Sequence, residues 1–309
     1  MRAHLLDSLR HLADAVGDAA PPEFQALIDA LSRGGIASPS GFGLYYEATR
    51  ALLEHDHDAG LALLGELAGE PLLRDRALAI LPLGRVVPQA RRERYQRLMD
   101  TDPDTPFSIV PPAADEGTRG VEAFASALER LRALVPALAG EFDALIREVV
   151  LVTGDPALGY DFAGGSCYML WGALFINAGR HKTDVEMIEA IAHESGHSLL
   201  FGFTIDEPLV LNDERELYAS PLRDDPRPMD GIYHATYVSA RMHWTLSRLL
   251  ESGALSAQES EEAEARRQAS ARGFWSGHET VLASAQLSDT GRRLLEGARA
   301  WMTAFPAIR

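Results

Sequence analysis

The chain has 309 residues, enough for one large domain or two ordinary ones, and its 46% hydrophobic and 24% charged content are those of a globular protein. A net charge of −16 weighs against nucleic acid or an anionic membrane as the main partner. The single cysteine, Cys167, excludes a disulfide framework and a cysteine-rich metal site.

The first residues carry an acidic side chain at Asp7 and then read as an amphipathic helix. No signal-type apolar core follows, and no run of about 18 apolar residues occurs, so a cytoplasmic protein is expected. Leu5, Leu9, Leu12 and Val16 recur at helical spacing, Pro21-Pro22 opens a second helix closed by Gly34-Gly35, and further helical patterns run from Tyr45 to Leu53, from Ala59 to Leu67 and on to Leu98. Residues 1 to about 100 are therefore expected to be all-helical. His55-Asp56-His57-Asp58 holds four metal-capable side chains, but its place between two helical patterns reads as a polar turn.

Thr101 to Gly120, rich in proline and glycine, is the expected linker. Val121 to Ile146 predicts one long amphipathic helix, and Val149-Val150-Leu151-Val152 a buried strand. Cys167 to Asn177 predicts two strands or one strand bent at Gly172, with Cys167 as a small buried hydrophobe. Thr183 and Glu186 form a capping box before a helix of about 19 residues ending near Gly202. A second long helix is expected from Gly231 to Leu250, and Ser256 to Arg272 reads as a charged, solvated helix. His243 and His278 read as structural.

The chemistry concentrates in His193-Glu194-Ser195-Gly196-His197. Histidines four apart share one helix face and can chelate one ion, and the glutamate after the first histidine is the general base in zinc peptidases of this pattern. The fold expected is α+β and mostly helical: a helical N-terminal region over 1–110, structural or peptide-binding, then a zincin-like HExxH metal-dependent catalytic domain over 111–309 with a small sheet beside the motif helix. A third ligand is needed. The metzincin continuation is absent, because Leu200 and Phe203 stand where glycine and histidine belong. Glu216 follows His197 after 18 intervening residues, the gluzincin spacing, in a stretch that begins like a ligand-bearing helix. His234 is its rival, with Arg241 seven residues on along the same face and Arg223 and Arg227 in the loop before it.

At these residues the chain resembles the bacterial HExxH-motif peptide-modification family found beside ribosomally made peptide clusters. The resemblance rests on the HExxH stretch, on Tyr218-Ala219-Ser220-Pro221-Leu222-Arg223-Asp224-Asp225-Pro226-Arg227-Pro228, and on Gly231-Ile232-Tyr233-His234-Ala235-Thr236-Tyr237-Val238 through Arg241. It covers about residues 160 to 250 and little of the N-terminal third. It implies an Fe(II)- and 2-oxoglutarate-dependent oxygenase that β-hydroxylates side chains of a precursor peptide, with O₂ as co-substrate. His193, His197 and His234 would then be ligands, with Glu216 the alternative. Arg223, Arg227 or Arg241 would hold the distal carboxylate of 2-oxoglutarate, helped by Tyr218 and Ser220, unless those arginines pair with Asp224, Asp225 or Asp230. Glu194 would order water or a ligand. Two other readings stand beside this one: a gluzincin-type Zn²⁺ peptidase with Glu194 as base and Glu216 as ligand, and a non-enzymatic peptide-binding protein. None of the three calls for nucleic acid or a membrane.

Overall fold

The computed structural model describes residues 1–84, 86–100, 108–155, 157–158, 162–220 and 225–305. In chain order the elements are α1 (Arg2–Val16), α2 (Phe24–Ser32), α3 (Pro39–Leu53), α4 (His57–Gly69), β1 (Ala79–Pro82), α5 (Gln89–Met99), β2 (Ile109–Val110), α6 (Ala114–Leu134), α7 (Pro136–Leu145), β3 (Glu148–Gly154), β4 (Gly164–Ser166), β5 (Ala173–Asn177), α8 (Asp184–Phe203), β6 (Leu217–Tyr218), β7 (Arg227–Pro228), α9 (Met229–Glu251), α10 (Ala257–Ser284) and α11 (Asp289–Thr303). The class is α+β, mostly helical with a small mixed sheet. Among the described residues no helix is long and apolar enough to cross a membrane.

Contacts divide the chain into two units, one of 1–121 and 145–180, the other of 122–144 and 181–309. The units interleave in sequence, whereas the sequence reading divides the chain once, near residue 110.

The first unit holds the sheet, ordered β1-β3-β5-β4, with β2 antiparallel to β3. β1 and β5 run parallel to β3, and β4 antiparallel to β5. Val149 to Val152 are fully buried, as a strand covered on both faces requires, and so the run is continuously apolar rather than alternating. β1 corrects the all-helical expectation for the first hundred residues. Its four residues are too few to carry a period of their own, and their partners lie far along the chain at Glu148 to Leu151. Gly172, at φ 90°, makes the expected kink before β5. Of the expected polar turn His55-Asp56-His57-Asp58, His55 and Asp56 lie between helices, but His57 and Asp58 open α4, which the Asp56 side chain caps by accepting from Ala59 N at 3.1 Å. Cys167 donates to the Leu98 carbonyl at 3.2 Å, and burial raises its thiol pKa to about 11, so it behaves as a small core residue.

The expected linker is partly helix. Residues 101–107 lie outside the described residues, but α6 begins at Ala114. Gly117 and Gly120 read as loop formers, yet both are helical contact points. A Cβ on Gly117 would lie 2.9 Å from Pro82 Cβ, and one on Gly120 3.0 Å from Ala178 Cβ. The single helix expected over 121–146 is two, because Pro136 lacks an amide hydrogen and disfavours helix at Val135. It opens α7 as a first-turn proline.

In the second unit α8 starts at Thr183, whose side chain accepts from Glu186 N at 3.1 Å. The Glu186 carboxylate accepts from the Lys182 amide at 2.6 Å, and the Thr183 amide also lowers its pKa. Gly202 lies within the helix, which ends at Phe203. α8 and α9 pack through Leu200, Ile232, Tyr233 and Met229. The charged start of α10 is not simply solvated: Arg266 pairs with Glu186 and Glu189 of α8, and Arg130 of α6 with Asp184 and Glu259. His243 accepts from Trp301 Nε1 at 3.1 Å and His278 stacks on Phe274, both as structural residues.

Candidate metal centre

His193 and His197 sit one turn apart on α8, so helix geometry alone brings their rings together. Their Nε2 atoms are 3.1 Å apart. Two nitrogens each about 2.1 Å from one ion and subtending about a right angle lie about 3 Å apart, so the pair fits a shared ion. Burial holds the imidazoles neutral, lowering His193 to about 4 and His197 well below its ordinary value, the latter reinforced by His193 and His234. A neutral ring is the form that donates a lone pair to a metal. The His193 side chain stays 29% exposed, so the pair is reachable from solvent.

α9 brings His234 to the other side of His197. The two rings are stacked, 16° from parallel, and their Nδ1 atoms are 3.0 Å apart. Phe201, four residues after His197 and so on the same helix face, packs on His234 at 5.5 Å between ring centroids. Burial lowers the His234 pKa, opposed by Asp230, whose Oδ1 lies 4.0 Å from Nε2. His197 thus turns one nitrogen to each neighbour. One ion can take only one of them, and among the described residues no three histidine, cysteine or acidic side chains converge as a finished metal site. In this arrangement His193 and His197 are the matched pair, and His234 fixes the His197 tautomer through Nδ1.

Glu194 is buried, with Oε1 4.0 Å from His193 Nε2. Glu216 is exposed. The helix expected to carry it is a turn, closed by Glu216 N donating to Asp213 O at 3.0 Å, because Asp213 spends its carboxylate on Arg215. The Glu216 carboxylate accepts from the Tyr218 hydroxyl at 2.5 Å, and Asn212 donates to that hydroxyl at 3.0 Å. Tyr218 is therefore engaged with Glu216, and Ser220 follows β6 half-buried.

The arginines differ from one another. Arg223 lies outside the described residues. Arg227 pairs with Asp225 at 2.6 Å, one of the aspartates foreseen for it. Arg241 forks onto Glu141 of α7, a residue 100 positions away that nothing in the sequence indicates. Arg241 also crosses the HExxH motif: a Cβ on Gly196 would lie 3.1 Å from its Cδ and 3.2 Å from its Nε. The glycine within the motif is what lets the arginine lie against α8.

Comparison with protein-family models finds no match, and comparison with curated proteins finds none either.

Proposed function

We propose that this chain is a cytoplasmic, iron(II)- and 2-oxoglutarate-dependent oxygenase with a zincin-like catalytic unit, β-hydroxylating side chains of a ribosomally made precursor peptide. The reaction class rests on the motif resemblance. The observation that carries the site is the placement of His234 against His197 while Glu216 lies in an exposed turn, bonded to Tyr218. Of the two candidate third ligands, His234 is the one that touches the pair, at the His197 nitrogen turned away from His193.

His193 and His197 would hold the ion through Nε2. His234 would complete the set, exchanging its hydrogen bond to His197 for the ion. Iron(II) with 2-oxoglutarate and O₂ supplies, when bound, the oxidising power to hydroxylate a C–H bond, with succinate and carbon dioxide as co-products. Burial keeps the imidazoles unprotonated at neutral pH. Glu194, buried beside His193, can hold a proton or orient a water. The carboxylates of 2-oxoglutarate need a cation, and Arg241 and Arg227 are the described candidates. Each is held in place by a carboxylate, so co-substrate would exchange with Glu141 or Asp225.

That last observation also favours a second reading. Arginines already paired suit a zinc peptidase, which needs no dicarboxylate site and uses Glu194 to take a proton from water. The deciding experiment supplies iron(II), 2-oxoglutarate, O₂ and candidate precursor peptides to the purified protein. Succinate release and a peptide heavier by one oxygen atom are expected. Zinc-dependent cleavage of the same peptides with no succinate would replace the oxygenase by the peptidase.

A further inference from the structure

A groove of about 280 Å³ opens between α9 and α11, both in the second unit. Tyr237, Trp244 and Trp301 give it aromatic walls, and Arg241 and Arg293 line it with positive charge. All three aromatics are half-buried, so part of each ring is presented outward. A third arginine, Arg248, lies over the Trp244 and Trp301 rings, 5.7 and 5.2 Å from their centroids. Small residues, Ala240, Gly297 and Ala298, leave the space between the walls open. A Cβ on Gly297 would meet nothing within 4 Å.

The volume lies at the lower edge of small-ligand pockets, which begin near about 300 Å³. It is sized for one large side chain rather than a cofactor. The charges are unevenly satisfied. Arg241 has Glu141 and Arg248 has Glu251, but Arg293 bonds only the Thr290 hydroxyl, at 3.1 Å, with no carboxylate in ion-pair reach among the described residues. Among the described residues the Arg241 Nε is buried without a hydrogen-bond partner, while Tyr237 of the same groove bonds the Arg241 side chain. A chain of net charge −16 thus keeps an unneutralised arginine at the rim of an aromatic groove. The other wall of the groove is the arginine that crosses the HExxH motif at Gly196.

We infer that the α9/α11 groove is a docking site for an acidic peptide segment, one that seats an aromatic side chain over Ala240 and Gly297, against the tryptophans, and sets a flanking carboxylate on Arg293. The aromatic ring stacks on the tryptophans, and the carboxylate makes a charge-assisted bond to the guanidinium. Only the identification of that segment as part of the substrate rests on the proposed function. Docking itself needs neither metal nor co-substrate.

The test uses the full chain, metal-free, and fluorescein-labelled peptides read by polarisation. The probes are Gly-Asp-Phe-Glu-Gly, the neutral Gly-Asn-Phe-Gln-Gly and the truncated Gly-Asp-Ala-Glu-Gly. The acidic aromatic peptide is expected to bind about tenfold more tightly than either other, a difference of about 1.4 kcal/mol. Gly297→Leu fills the open space and should abolish binding. Arg293→Gln, at an exposed position, should leave the melting temperature unchanged and bring the acidic and neutral peptides to equal affinity. Equal binding of all three peptides to the unmodified chain overturns the inference, as does an Arg293→Gln protein that keeps the preference. Self-association abolished by Gly297→Leu, with no peptide bound, gives the groove to a second copy of the chain instead. Docking without succinate release keeps the groove and removes the oxygenase, and succinate release without docking does the reverse.

Discussion

Ionisable side chains are buried around Arg94 in the first unit and around His197 in the second, and the two groups are completed differently. Arg94, 5% exposed, meets Glu47 at 2.9 Å and Glu66 at 2.8 Å, and Arg97 closes on the same Glu47. Glu148 meets Arg91 and the Tyr95 hydroxyl. Each charge there has an opposite charge beside it, and the set is closed. His193 and His197 are half-buried and His234 buried, all three as neutral rings, with the carboxylate oxygens of Glu194 and Asp230 4.0 Å away. A closed set serves the fold. Neutral rings that turn their nitrogens toward one another suit a ligand.

The sharpest way to break this contrast is to delete one member of the histidine pair. His197→Ala should weaken Co(II) or iron(II) binding by more than the hundredfold or so that losing an outer partner costs, as read by calorimetric titration. His234→Ala should do the same if it becomes a ligand, and a loss of only about tenfold would assign it to orienting His197. Unchanged metal affinity in His197→Ala would leave the cluster without its meaning.

Glu47→Gln tests the other side. It strands Arg94 and Arg97 and should cost about 3 kcal/mol in chemical denaturation, with metal affinity untouched.

The pH dependence follows from the histidines of the second unit. His193 and His243 have folded values near 4 against 6.5 unfolded. Above 6.5 both states are neutral and pH has no effect through these groups. As pH falls from about 6.5 toward 4 the unfolded chain takes up protons that the folded one refuses, so metal-free stability should decline across that window. His243→Gln, still able to accept from Trp301, should flatten part of the decline in melts taken from pH 7 to 4. An unchanged curve would remove His243 from the account.

The smallest effect is expected at Gly196→Ala. The new methyl would meet Val238 Cγ1 at 3.0 Å and Arg241 Cδ at 3.1 Å. It should cost about 1 kcal/mol, because overpacking outweighs the gain in helix propensity.

How much of this was legible beforehand follows the range of each interaction. The histidine pair is set by a four-residue spacing on one helix, and the buried β3 by a run of four apolar residues, so both read directly. The Glu216 spacing also suggests a ligand-bearing helix, but spacing along the chain does not say whether a helix forms, and Asp213 closes a turn there instead. β1 and the Arg241–Glu141 fork depend on partners 69 and 100 positions away, at Glu148 for Ala79 and Glu141 for Arg241. Gly117 and Gly120 read as part of a linker and Gly196 carries no reading at all, since a missing Cβ reveals its purpose only when the neighbour that fills the space is known.

The 3.1 Å between the two Nε2 atoms has one more consequence. That gap holds either a shared proton or a shared ion, never both. In the metal-free chain His193 can donate into it while His197 passes its own N–H to His234, forming a three-ring relay. Loading an ion there would send the His193 proton to its other nitrogen and remove the first link, leaving the His197 N–H on His234.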